Sequence, residues 1–279
     1  MYKKGDFHIH SNASDGKFSP KDIVHLSLKQ NMDIISITDH DTINGINEAL
    51  EESKKVNIKV IPGIELSTLY KGENIHILGY FKNSNYKNSN LQNFLKNMEC
   101  YRIYRAKKII ENLYEFFHIK LDADEIIKKS NGIIARPHIA KAIIDAGYDY
   151  TWEYIFNNLI SDKSPAYVPN KKLSLEEGIK LLKYSNALVV LAHPVLIHNC
   201  SIEELLNFEF DGIEAIYYSN TPKETFRFKN LAKKYNKIIT AGSDFHGITK
   251  SDGLHALNIG DVYLTKEYIK IFLEKLNQT

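Results

Sequence analysis

The first apolar run of the chain ends in His8-Ile9-His10. On a strand, residues two apart face the same side, so these two imidazoles can converge on one ion. Alone, the pair is more readily explained as two structural histidines. The pattern then repeats, in Thr38-Asp39-His40-Asp41, Pro62-Gly63-Ile64-Glu65, Ile75-His76-Ile77, Leu191-Ala192-His193-Pro194 and Gly242-Ser243-Asp244-Phe245-His246, with Asp15 in the loop after the first run. Of eleven histidines, six (His8, His10, His40, His76, His193 and His246) thus stand at or beside strand ends in company with carboxylates. One shared site explains this better than separate coincidences. Six imidazoles and three carboxylates (Asp15, Glu65, Asp244) exceed the needs of one tetrahedral ion and suit two or three ions sharing a bridging carboxylate. Nitrogen and oxygen donors without thiolate fit manganese, iron or zinc, and affinity order does not choose among them. The chemistry such a cluster supports is hydrolysis. Asp39 and Asp41, flanking His40, are expected to orient neighbours or cap a turn. His25, His118, His198 and His255 read as structural or surface residues.

Seven short apolar, β-branched runs must carry these groups: Phe7–His10, Ile34–Thr38, Lys59–Leu66, Ile75–Tyr80, Leu188–Ala192, Gly212–Tyr217 and Ile238–Ala241. Helical patterns follow several of them. Ser19-Pro20 with Asp22 opens one helix, since proline suits the first helical turn. Asn44 to Lys55 and Pro222 to Tyr235 read as others. Alternating strands and helices predict a mostly parallel sheet able to close into a barrel, whose carboxyl-end rim is where catalytic groups gather. One connection breaks the alternation: Lys71-Gly72-Glu73-Asn74 joins two strands as a hairpin turn. The expectation is therefore an irregular α/β barrel of seven strands in a single 279-residue domain. Residues 91–172 are strand-poor and read as a helical insertion capping the active site, with helices through Tyr104 and Ile109, over Asp122–Lys129 and over Arg136–Ala146.

Composition narrows the class. Net charge is only +2, too small to announce a nucleic-acid binder. Cys100 and Cys200 form no zinc-ribbon spacing. A chain this long buries a core without a structural metal, so the cluster reads as a working site. The charged start, Met1 to Asp6, lacks the apolar stretch of a signal peptide, and no run of about 18 apolar residues is present to span a membrane. A soluble cytoplasmic protein is the expectation.

In family order, His8-Ile9-His10 with Asp15-Gly16, Ile37-Thr38-Asp39-His40-Asp41, Pro62-Gly63-Ile64-Glu65, Ile75-His76-Ile77-Leu78-Gly79-Tyr80, Leu191-Ala192-His193-Pro194 and Gly242-Ser243-Asp244-Phe245-His246 resemble the PHP (polymerase and histidinol phosphatase) family. The similarity runs through essentially the whole chain, and lies nearest the stand-alone phosphoesterases that include 3′,5′-nucleotide bisphosphate phosphatases and 5′-to-3′ oligoribonucleases. The resemblance implies a distorted (β/α)7 barrel with three divalent metal ions, manganese first. It implies that His8, His10, Glu65 and Asp244 hold one ion. Glu65, His76 and His193 would hold a second, and Asp15, His40 and His246 a third. No ligand position is lost, and no side chain is assigned as catalytic beyond the metal-activated water. Arg136-Pro137-His138 precedes a helix, where a guanidinium fork and backbone donors suit phosphate. The resemblance sets Arg136, His138 and Lys163 against the substrate, a phosphorylated nucleotide or a short RNA. A histidinol-phosphate-type phosphatase and a noncatalytic metal-binding module are the competing readings; no protein partner is inferable.

Overall fold

Ser19 starts the first helix by accepting a hydrogen bond from the Asp22 amide, with Pro20 at its opening position. Local signals of this kind set the element order in the computed structural model, which describes residues 2–129, 134, 136–247 and 256–279. In chain order the elements are β1 (Lys4–Ile9), α1 (Pro20–Lys29), β2 (Ile34–Ile37), α2 (Ile46–Ser53), β3 (Lys59–Tyr70) and β4 (Glu73–Phe81). Next come α3 (Ser89–Phe117), α4 (Ala123–Lys129), α5 (Arg136–Asp145) and α6 (Trp152–Tyr154), which runs into a π-helical turn at Ile155–Leu159. The chain closes with β5 (Leu173–Ser174), α7 (Leu175–Tyr184), β6 (Ala187–Leu191), α8 (Ile202–Leu205), β7 (Gly212–Tyr217), α9 (Pro222–Lys234), β8 (Ile238–Gly242), β9 (Leu264–Thr265) and α10 (Lys266–Leu276).

These elements form two compact units. The first comprises Met1–Gln92 with Lys172–Thr279, the second Asn93–Lys171. The first unit holds the sheet, in strand order β8-β7-β6-β4-β3-β2-β1-β9, with β5 on β3. β1, β2 and β3 are parallel neighbours, as are β6, β7 and β8. β4 runs antiparallel to both β3 and β6, because the Lys71-Gly72 turn, with φ of 47° and 84°, returns the chain directly. The far ends of the sheet meet: Ile9 bridges Phe245, the His10 amide donates to the Phe245 carbonyl at 2.9 Å, and the Asp244 amide to the His8 carbonyl at 2.8 Å. The result is the expected distorted seven-strand barrel, nearly closed, with two short added strands.

Period-two alternation divides its core. Ile34, Ile61, Leu78, Leu188 and Val190 pack with Phe7, Tyr80 and the α10 residues Ile269 and Phe272. Their neighbours Ile35, Ile37 and Val60 instead pack against Ile23 and Val24 of α1 and Ala49 of α2. The second unit is helical and has its own core, in which Ile109 and Leu113 of α3 meet Ile139 and Ile143 of α5 and Ile155 and Leu159 of the π turn. Among the described residues no helix is long and apolar enough to cross a membrane.

Candidate metal centre

At one rim of the barrel the strand ends, with the loop after β1, bring together all nine residues singled out in the sequence. His8 lies near the end of β1 and His10 just after it, His40 follows β2 and bridges Glu65 of β3, His193 follows β6, and Asp244 and His246 follow β8. His76 reaches the same rim because β4 is antiparallel, so its beginning lies where the parallel strands end. His193 and Asp244 take positive φ, 22° and 52°, a backbone region costly for residues with a side chain and common at functional sites. Asp15 is placed by its loop: Asp39 accepts from the Ser11 amide and hydroxyl and from the Ser14 hydroxyl. A side chain at Gly16 would strike the His10 carbonyl, at 2.5 Å. Asp41 accepts from the Ser67 amide, tying the second strand end to the third.

Glu65 is the hub. Fully buried, its two oxygens lie within 3.4 Å of five imidazoles: His76 and His193 at Oε1 (3.0 and 2.9 Å), His8, His10 and His40 at Oε2 (3.4, 3.3 and 2.9 Å). Asp244 Oδ1 stands 3.0 Å from His10 Nε2 and 3.5 Å from His8 Nε2. Asp15 stands 3.3 Å from His246 Nε2 and 3.9 Å from His40 Nε2. Burial opposes charge on His8, His10, Asp15, Glu65 and Asp244, but the opposite charges outweigh it. The pKa of His8 is raised well above its ordinary value by Glu214, Glu65 and Asp244, and that of His10 to about 10 by Asp244 and Glu65. The imidazoles in turn hold Glu65, Asp244 and Asp15 below the carboxylate range.

The donor set fits divalent cations on geometry as well as chemistry. His10 Nδ1, His40 Nδ1, His193 Nδ1 and Glu65 Oε2 are buried without a hydrogen-bond partner. His40 Nδ1 and Glu65 Oε2 are 2.9 Å apart yet not aligned as donor and acceptor, the relation of two atoms facing a common cation. Among the described residues, four sets of ligand atoms lie within 4.8 Å: His10–Asp15–His40–His246, His8–His10–Glu65, His8–His193–Asp244 and His40–Glu65–His76. His8, His10, His40 and Glu65 each belong to two of these overlapping sets.

Two contacts escaped the sequence reading. Glu214, fully buried in β7, places Oε1 3.0 Å from His8 Nδ1 and accepts the His193 amide at Oε2, at 2.7 Å. Tyr217 donates to Asp244 Oδ2 at 2.8 Å. Their only signal was an acidic residue inside the apolar run Gly212-Ile213-Glu214-Ala215-Ile216-Tyr217. Away from the centre, His25 pairs with Glu52 at 3.0 Å and the His198 amide donates to Glu73. His118 ends α3 at a φ of 55°; His255 lies outside the described residues.

Arg136, His138 and Lys163 all belong to the second unit. Arg136 opens α5 and donates from Nη1 to the Ile160 carbonyl at 3.2 Å, at the end of the π turn. His138 lines a cavity of about 470 Å³ with Lys120, Lys129 and Lys141, and Lys163 is exposed in the loop after the turn.

The PHP domain family matches residues 6–242, and the chain belongs to it. The chain is 28% identical over 250 residues to the 5′-3′ exoribonuclease Rnm of Salmonella typhimurium, covering 86% of this chain and 84% of that protein. It is 26% identical over 249 residues to a 3′,5′-nucleoside bisphosphate phosphatase of Chromobacterium violaceum, covering 86% of each. A solved structure assigned as a metal-dependent phosphoesterase, from Bifidobacterium adolescentis, superposes with a TM-score of 0.77 at 27% identity, over 97% of this chain and 96% of that one.

Proposed function

We propose that the chain is a metal-dependent phosphoesterase that removes the 3′-phosphate of nucleoside 3′,5′-bisphosphates and trims short 5′-phosphorylated RNA from its 5′ end. The observation that carries the reading is Glu65, buried and ringed by five imidazoles. In this reading three divalent cations are held, manganese first, with iron or zinc as alternatives. His8, His10, Glu65 and Asp244 take one, Glu65, His76 and His193 the second, and Asp15, His40 and His246 the third. Bound there, such cations neutralise phosphate oxygens and bring the pKa of water near neutrality. The protein's part is to fix the positions of the donors in a dry rim, so that little reorganisation remains when charge develops on the ester.

The helical segment 91–172 supplies the grip on the 5′-phosphate, through Arg136 with His138 and Lys163. Arg105 strengthens this part. Its Nε donates to the Val168 carbonyl at 2.8 Å, and burial, followed by the nearby Arg136 charge, lowers its pKa. Among the described residues no carboxylate pairs with either guanidinium, and two uncompensated guanidiniums favour an anion. One anchor then serves both substrates, because in each the scissile phosphorus follows the nucleoside that bears the 5′-phosphate.

The test is to assay metal-stripped and manganese-loaded protein on a nucleoside 3′,5′-bisphosphate and on a short 5′-phosphorylated RNA. Turnover that depends on metal is expected for both. Absence of metal-dependent turnover of either overturns the reading, and turnover confined to unrelated monoesters moves the chain to the histidinol-phosphate type.

A further inference from the structure

The barrel strand β7 contributes no residue to the nine, yet it touches ligands from three other strand ends. We propose that Glu214 and Tyr217 are positioning residues which dictate, through His8, His193 and Asp244, which atoms face the metals. The inference rests on the metal-centre reading above.

Glu214 and Tyr217 are three residues apart, and on a regular strand they would face opposite sides of the sheet. The pairing of β7 with β8 shifts register between Glu214 and Ile216. That irregularity absorbs one residue and turns both side chains toward the rim. A matching shift between β1 and β2 falls between Asp6 and Ile9, at His8. Bulges re-aim side chains next to active sites, and here two of them meet at the His8–Glu214 pair.

The His193 amide can only donate, and it donates to Glu214 Oε2. Both carboxylate oxygens lie near His8 Nδ1, Oε1 at 3.0 Å and Oε2 at 3.2 Å, so Nδ1 is the donor toward Glu214 and Nε2 is the nitrogen left to face a metal. Nε2 is the atom that stands near His10 Nε2, Glu65 and Asp244, at 3.1, 3.4 and 3.5 Å. The same carboxylate holds the positive-φ backbone of His193 in place. Tyr217, by occupying Asp244 Oδ2, leaves Oδ1 toward His8 and His10. The space is reserved for this contact: a Cβ on Gly242 would lie 2.2 Å from Glu214 Oε1 and from His8 Cβ.

Glu214→Gln tests the idea because it replaces one of the two accepting oxygens with an NH₂ beside the His193 amide and His8 Nδ1. If its oxygen keeps the His193 amide, its NH₂ faces His8 Nδ1 and pushes the proton onto Nε2. If it flips, NH₂ meets an N–H. Zinc binding to metal-stripped protein, read by calorimetry and by retained metal after desalting, should be about 10–100-fold weaker at one site in Glu214→Gln, with the metal-free circular dichroism spectrum unchanged. Tyr217→Phe should weaken the same site less. Unchanged zinc affinity and stoichiometry in Glu214→Gln overturn the inference, whereas a wild-type protein that binds no zinc overturns the metal-centre reading itself. Should the variant fail to fold, histidine-selective ¹⁵N spectra of zinc-loaded wild type decide: a proton on His8 Nδ1 is expected, and one on Nε2 refutes the assignment.

Discussion

At the scale of single residues, the centre is a lattice in which each carboxylate is surrounded by imidazoles, and Glu65 has the most neighbours. Glu65→Gln keeps the volume but removes the charge that five rings share. Loss of an outer contact to a metal ligand costs about 10–100-fold in affinity, so this substitution should exceed about 100-fold and abolish chelator-sensitive turnover, as measured by retained manganese and by rate. The same lattice makes metal binding sensitive to pH. His10, whose pKa rises from 6.5 to about 10, is protonated in the metal-free protein at neutral pH. Its pairing with Asp244 and Glu65 therefore stabilises the metal-free fold fully below about pH 6.5, and that contribution is lost as pH rises through 10. A cation must displace this proton, so affinity climbs over the same window and protons are released on binding. Titrating manganese at pH 7 in buffers of different ionisation enthalpy should give heats that track the buffer; buffer-independent heats would contradict the pairing. Most of the nine residues were legible because they sit where an apolar run stops, with Asp15 in the loop after one and His76 at the start of another. Glu214 was not, because an acidic residue within such a run reveals nothing of the bulge that aims it.

At the scale of elements, the rim depends on close approach between strands. Gly242 ends β8 with no room for a methyl group beside Glu214 and His8. Gly242→Ala should cost about 1–3 kcal/mol by overpacking and weaken metal binding together with stability, checked by urea denaturation and metal titration of the same sample. A variant as stable as the parent would mean that β7 and β8 separate easily, and would remove the steric part of the case for Glu214. All seven strands were visible as short β-branched runs, and the β3–β4 hairpin as a glycine turn between two of them. β5 and β9 are two residues each, too short for any periodicity to register. α7 starts on a Ser174/Glu177 capping box, a four-residue pattern that carries no hint of function and went unread in the sequence. The antiparallel course of β4 mattered most, since it alone explains why His76, near a strand's start, meets residues from strand ends.

At the scale of the whole molecule, metal should act on one unit and not the other. All four candidate ligand sets found among the described residues lie in the first unit, and the second has a hydrophobic core of its own residues. Neither core uses the centre as a staple, so chelation should leave the secondary structure intact and lower the stability of the first unit by the binding free energy alone, about 2.7 kcal/mol at a metal concentration 100 times Kd. Hydrogen exchange resolves where that energy goes. Manganese should slow exchange at the His10 and Asp244 amides, whose hydrogen bonds join β1 to the end of β8, because opening that seam separates the ligands. Amides of α3 beyond residue 93 and of α5 should exchange at the same rate with and without metal. Global slowing in both units would instead mean that the second unit is held by the metal-bound first, and collapse of helical and strand signals on chelation would make the metal a folding requirement, against the size of the buried cores.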